Sequence, residues 1–164
     1  MIKNINYRGA ISLFDLDGLN IADKFNRPPP HQVIIPIKYG DNSNVKLLIF
    51  SSGKCRLMGM TEELDESKIP FKINDLQMQS ATMVIDLGYK INLIKLSKTL
   101  PRHYFMYEPE LFPALRLILF NPMCVNVFST GKVVVLGLKK LTNQNALSQQ
   151  IRSLLGVYID RDSC

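Results

Sequence analysis

Glu108 and Glu110, separated only by Pro109, form a closely spaced carboxylate pair, and paired carboxylates are a recurrent device for general acid–base work. Such work needs partners, and the two histidines, His31 and His103, offer little for His-based nucleophilic catalysis or a zinc site. Cys55, Cys124 and Cys164 have no C-x-x-C spacing and are too few for a disulfide framework. Free thiols, a reducing compartment and no metal or other cofactor are therefore expected. The chain is not expected to be an enzyme.

The other suggestive chemistry is charge. Twenty Lys+Arg against fourteen Asp+Glu leave a net +6, which favours an anionic partner such as nucleic acid. With 46% hydrophobic and 21% charged residues over 164 positions, the chain reads as one globular domain or two small ones, which excludes disordered and collagen-like classes. The opening MIKNINYRGAIS lacks the apolar core of a secretory signal, and the apolar stretches, Leu117 to Phe120 among them, are far below a membrane span. A soluble intracellular protein with no membrane partner is expected.

Positioning falls to a repeat. Phe50-Ser-Ser-Gly-Lys-Cys-Arg-Leu-Met-Gly-Met60 reappears as Phe128-Ser-Thr-Gly-Lys-Val-Val-Val-Leu-Gly-Leu138. Each copy follows an alternating apolar run, Val45 to Phe50 and Met123 to Phe128, so Ser-Gly-Lys reads as a hairpin turn with Gly53 and Gly131 at positive φ. Similar openings, Ile2 to Asn6 and Phe71 to Asp75, each lead into a strand and then a short helix. The helices are predicted over Leu19–Phe25, after the cap-rich Asp15–Gly18, and over Leu93–Leu100, stopped by Pro101. A closing amphipathic helix over Thr142–Ile159 would place Ala146, Leu147, Ile151, Leu154, Leu155 and Tyr158 on one face, with Thr142 or Asn143 as N-cap. The first half offers only the polar Thr61–Ile69, one turn or a linker, in its place. Residues 1–69 and 70–164 are thus two versions of one unit, divided near Pro70. In Val133 to Leu136, Val133 and Val135 face the helices while Val134 and Leu136 face the other way. Both faces are apolar, which fits either a surface that meets a partner or a strand buried on both sides.

These strings resemble the TATA-box-binding protein family. Tyr107-Glu-Pro-Glu-Leu-Phe-Pro113 with Phe128-Ser-Thr-Gly-Lys132 looks like the family's second repeat, and Leu47-Leu-Ile-Phe-Ser-Ser-Gly-Lys54 looks like the first. The resemblance implies an α+β saddle: two pseudo-repeats forming a curved antiparallel sheet, helices on the convex face, and a concave underside for the minor groove of A·T-rich double-stranded DNA. The helix closing the first repeat would be shortened or missing. Phe112 and Phe128 match the second pair of wedge phenylalanines and Phe50 one of the first, whereas His31-Gln-Val33 stands where the fourth would be. Asn4 matches a base-bonding asparagine whose second-repeat equivalent is Asp75, with Asn74 beside it. Lys54, Lys132 and Lys139 match phosphate-contacting lysines, with Thr61 as the counterpart of Lys139. On the groove-facing strands Val134 lies beside Leu136, which with Met58 replaces the family's threonines; Arg56 and Asn126 replace small apolar residues. Arg56 suits a narrow minor groove.

Glu108, Pro109, Glu110 and Leu111 match the stirrup where transcription factor IIB docks, while the first stirrup, around Arg27 to His31, departs from the family's contact for transcription factor IIA. The resemblance therefore implies a promoter-binding initiation factor that bends DNA and recruits a transcription-factor-IIB-like partner and RNA polymerase, in the nucleus or at the site of viral transcription. The divergence and abbreviated link fit a virus or a fast-evolving eukaryote. The alternative is an interaction module of the transcription machinery that keeps the fold and stirrup but has lost autonomous DNA binding, as Asp75 and the absent wedge would favour.

Overall fold

The computed structural model describes residues 1–11, 32–69, 72–118, 120 and 122–160. The expected helix over Leu19–Phe25 and its cap, the first stirrup with His31, Pro70, Phe71 and Cys164 lie outside the described residues. The chain divides into two compact units, Ile2–Ser80 and Ala81 onward, the second joined by Met1.

In the first unit, strands β1 (Ile2–Ala10), β2 (Gln32–Tyr39), β3 (Asn42–Phe50) and β4 (Lys54–Met60) run in the order β2-β3-β4-β1, with the start of β5 (Asn74–Asp86) beside β1. Alternation drives this layout: Val45, Leu47 and Ile49 are buried on one face with Leu57, Cys55, Ile5 and Tyr7. The β3–β4 turn closes through Gly53 N–H donating to the Phe50 carbonyl at 2.9 Å, with Gly53 at φ +79°, as the repeated string predicts. A bulge between Ile5 and Tyr7 interrupts the β1–β4 register. It leaves the Asn6 Oδ1 buried with no hydrogen-bond partner.

Beyond β4 the polar segment forms only a single 3-10 turn, Glu66–Lys68, capped by the Asp65 carboxylate, which accepts from Ser67 N–H at 3.1 Å. Two phenols of the sheet hold it. Leu64 N–H donates to Tyr7 Oη at 3.1 Å and Asp65 N–H to Tyr39 Oη at 2.7 Å, while Lys68 Nζ lies 5.5 Å from the centre of the Tyr39 ring.

The second unit carries the end of β5 with β6 (Phe105–Met106), β7 (Ala114–Leu117), β8 (Cys124–Phe128) and β9 (Lys132–Leu138), in the order β5-β9-β8-β7-β6. Helix α1 (Leu93–Thr99) begins where Asn92 Oδ1 accepts from Lys95 N–H at 2.8 Å and ends before Pro101. Helix α2 (Gln144–Leu155) buries Leu147, Ile151 and Leu155, spaced by four, and a 3-10 turn, Gly156–Tyr158, adds Tyr158. Leu93 and Leu96 are buried as well, and on the strands Val125, Val127, Val133 and Val135 are fully buried. The closing helix is thus shorter than the expected Thr142–Ile159. Ala146 is exposed because it stands one residue off the spacing-of-four line, and Asn143 occupies the N-cap without a side-chain capping bond. The chain adopts the expected α+β fold, and the 3-10 turn Glu66–Lys68 stands where the helix closing the first repeat was expected to be shortened or missing.

Candidate nucleic-acid interface

The face of each sheet opposite its buried side is where the sequence-predicted residues stand. In the second unit, Phe112 and Phe128 meet edge to face, ring centres 6.0 Å apart at 68°, and Phe112 is 42% exposed. Ala114, the cross-strand neighbour of Phe128, is only 2% exposed, so the aromatic pair rests on a methyl-sized floor. Lys132 and Lys139 are exposed at either end of β9. Between them Val134 is half-buried and Leu136 is 37% exposed, on the face expected from their alternation. Asn126 is buried, its Oδ1 accepting from Arg116 Nε at 3.4 Å and Cys124 Sγ at 3.5 Å.

The hairpin that carries Phe128 and Lys132 is fixed from the side. Leu87 N–H donates to the Gly131 carbonyl at 3.0 Å and Ile91 N–H to that of Ser129 at 2.9 Å. Gly131 has φ +85°, and a Cβ there would stand 1.8 Å from the Tyr89 carbonyl oxygen.

The stirrup string is a tight turn around one carbonyl: Leu111 N–H and Phe112 N–H both donate to the Glu108 oxygen, at 3.0 and 2.9 Å. Glu108, Pro109, Glu110 and Leu111 are all exposed, Leu111 by 81%. The loop therefore projects both carboxylates and an apolar tip into solvent immediately before the Phe112 ring.

In the first unit the corresponding face is more polar. Asn4 Oδ1 accepts from Gly59 N–H at 3.0 Å, so its amide nitrogen is the end it can offer as a donor. Asp75, the second residue of β5, has φ +51° and is exposed, in the small group of conformations that aspartate tolerates better than most residues. Phe50 is half-buried, with the Arg56 guanidinium 6.0 Å from its ring centre; Lys54 is exposed. Two contributors were not anticipated from sequence. Arg8 stands directly opposite Arg56 across the strands and donates from NH2 to Gln77 Oε1 at 3.2 Å. Only the register, shifted by the bulge, reveals that opposition. A groove of about 710 Å³ lies here, lined among others by Arg8, Lys54, Arg56, Asp75 and Gln77.

Among the described residues, no group of three or more His, Cys, Asp or Glu could hold a metal ion, and no helix is long and apolar enough to cross a membrane. Burial pushes the Cys55 thiol above its ordinary range, opposed by a hydrogen bond from Gly9.

Residues 75–157 match the family described as transcription factor TFIID, or TATA-binding protein. The chain is 34% identical over 126 residues to the TATA-box-binding protein of Methanothermococcus thermolithotrophicus, covering 68% of each. It is 30% identical over 129 residues to that of Tetrahymena thermophila, where the match covers 70% of this chain and about half, 52%, of the relative. The solved structure of Methanococcus jannaschii TBP aligns over 95% of this chain and 97% of its own, with a TM-score of 0.67 at 24% identity.

Proposed function

This chain belongs to the TATA-binding protein family, and on that premise we propose that it is a transcription initiation factor that binds and bends A·T-rich promoter DNA through the minor groove. It then recruits a transcription-factor-IIB-like partner through the Glu108–Leu111 turn, and through it the polymerase machinery. The observation that carries the reading is the Phe112–Phe128 pair, half out of the sheet on its buried Ala114 floor. Rings displayed in this way suit insertion between base steps, a mode for which the TATA-binding proteins are themselves the type case. Exposed Lys54, Lys132 and Lys139 supply cations for the flanking phosphates. Leu111 and the two carboxylates beside it offer a compact docking point for a basic partner surface. The site of action is the nucleus, or the compartment of viral transcription for a viral protein.

The test is a titration into dye-labelled A·T-rich and G·C-rich duplexes, with anisotropy reporting binding and end-to-end energy transfer reporting bending. A·T-selective binding with bending is expected, with a salt slope of about −0.9 per neutralised phosphate. Phe112→Ala with Phe128→Ala should abolish bending and leave the circular dichroism spectrum unchanged. Bending that survives this pair removes the wedge assignment. Weak, unselective binding by the unaltered protein would favour the interaction-module reading, in which Glu108→Arg with Glu110→Arg eliminates partner capture.

A further inference from the structure

The helix-bearing side of the second unit carries apolar side chains that its core leaves uncovered. Leu93 and Leu96 of α1 are buried, whereas Ile94 between them is 60% exposed. The turn after α2 divides in the same way: Tyr158 is buried, Val157 before it is 69% exposed and Ile159 after it 37%. An outward helix face ordinarily carries polar residues. The two exposed places lie side by side. Ile91 pairs antiparallel with Ile159, and Asn92 N–H donates to the Tyr158 carbonyl at 3.0 Å, which seats the first turn of α1 against the Gly156–Tyr158 turn. Single exposed aliphatics need no explanation, but three β-branched ones brought together form a patch.

The surroundings of the patch have one sign. Residues 87–100 and 139–157, which hold both helices, contain six lysines and arginines and no carboxylate. Lys90, Lys95 and Lys98 are exposed, and Lys98 stands one turn on from Ile94, on the same side of α1. The bracketing carboxylates are Asp86, whose Oδ1 accepts from Gly88 N–H at 3.0 Å, and the half-buried Asp160.

These charges decide between occupants. A two-fold contact with a second copy would lay patch on patch and lysine against lysine. The chain's own acidic stretch, Glu62 to Glu66, has the opposite charge but no exposed large apolar side chain to cover the patch, since its Leu64 is half-buried. We infer that the patch is a docking surface for an acidic amphipathic helix of a partner protein, which lays aliphatic or aromatic side chains over Ile94, Val157 and Ile159 and sets carboxylates against Lys95 and Lys98. Such a helix supplies an apolar stripe and flanking charge from one element. The inference does not rest on the DNA-binding reading, because the Phe112–Phe128 pair stands on the other face of the sheet.

The probe is a fluorescein-labelled synthetic peptide of about 18 residues, with leucines at helical spacing along one face and glutamate elsewhere. Its control has the same composition with the leucines scattered around the helix. In anisotropy titrations of the full chain the amphipathic peptide should bind about tenfold or more tighter than the control. Ile94→Ser plus Val157→Ser should remove that difference and leave the circular dichroism spectrum unchanged. Lys95→Gln plus Lys98→Gln should weaken the amphipathic peptide and flatten its salt dependence; this pair carries the test if the serine pair does not fold. Hydrogen exchange localises the contact: the Asn92 and Asp160 amides, which donate to the Tyr158 and Lys90 carbonyls beside the patch, should exchange more slowly with the peptide bound. Equal binding of the two peptides, affinity untouched by either pair of substitutions, or slowed exchange only elsewhere overturns the inference. So does sedimentation in which the free protein self-associates and the serine pair abolishes it, for the occupant is then a second copy. Promoter binding is decided separately, by the duplex titration.

Discussion

Replacing Gly131 with alanine should damage this protein far more than the same change at Gly53, although both glycines occupy the same place in the repeated hairpin. Both have positive φ, +85° and +79°, so alanine at either incurs about 1–2 kcal/mol of backbone strain, partly offset by the stiffer unfolded chain. Their surroundings differ. A Cβ at Gly53 would stand 3.1 Å from the Ile11 carbonyl oxygen, a contact that a shift of a few tenths of an ångström relieves. At Gly131 it would stand 1.8 Å from the Tyr89 oxygen, more than an ångström inside van der Waals contact, and the obstacle is backbone. Relief requires the turn to move away from Leu87 and Ile91, whose N–H groups donate to the Gly131 and Ser129 carbonyls. Each lost bond costs about 1 kcal/mol, more if its groups remain buried. The expected losses are about 1–2 kcal/mol for Gly53→Ala and about 3–4 kcal/mol for Gly131→Ala, read as urea midpoints followed by far-ultraviolet circular dichroism. Losses equal to within about 0.5 kcal/mol would refute the argument that the Tyr89 backbone locks the second hairpin, since strain alone predicts parity.

Tyr39→Phe should cost about 1–2 kcal/mol by leaving the Asp65 N–H without its acceptor, and hydrogen exchange at Asp65 should accelerate; protection that persists would mean another acceptor takes over. Burial raises the Tyr7 phenol above its usual 10.0, so the fold favours the neutral ring: its contribution is complete below pH 10 and disappears as the pH rises through the higher folded value. Tyr7→Phe should therefore flatten the loss of stability above pH 10 in denaturation series, and an unaltered alkaline limb would contradict the assignment. Cys124, half-buried, should react with an aqueous alkylating reagent before Cys55, which is 2% exposed with a raised thiol pKa; peptide mapping that finds Cys55 modified first would count against its burial. A double-mutant cycle on Phe112 and Phe128 should show a coupling of about 0.5–1.5 kcal/mol in stability, and strict additivity would mean that the rings do not support one another.

What the sequence made legible was local. The hairpins follow from apolar alternation flanking a glycine that must take positive φ, and α1 from the spacing of Leu93 and Leu96 with Pro101 beyond it. The Glu108–Phe112 string was legible through its resemblance to the family's second stirrup, and the aromatic pair, Phe112 and Phe128, lies two and eighteen residues on from Glu110. The Arg8–Arg56 opposition was hidden, because a bulge at Asn6 resets the register and no local pattern announces a bulge. The tyrosine anchors of the polar segment were hidden for a related reason. They join residues 57 and 26 positions apart in sequence, and a buried phenol reads as core until its acceptor role is seen.

That anchored segment also sets a length. Leu64 and Asp65 are consecutive, yet their N–H groups go to different phenols, Tyr7 on β1 and Tyr39 on β2. Neighbouring amides of an extended chain point to opposite sides, so the segment runs between the two hydroxyls like a ruler laid between two pins. Adding or deleting one residue between Met60 and Leu64 would turn each N–H away from its pin. A helix absorbs such a change by rotating and keeps its internal bonds, whereas a strap that borrows acceptors from the sheet has no such slack. With such a strap rather than a helix after β4, the chain has little tolerance to insertion between Met60 and Leu64, where a short polar connection would otherwise be free to vary.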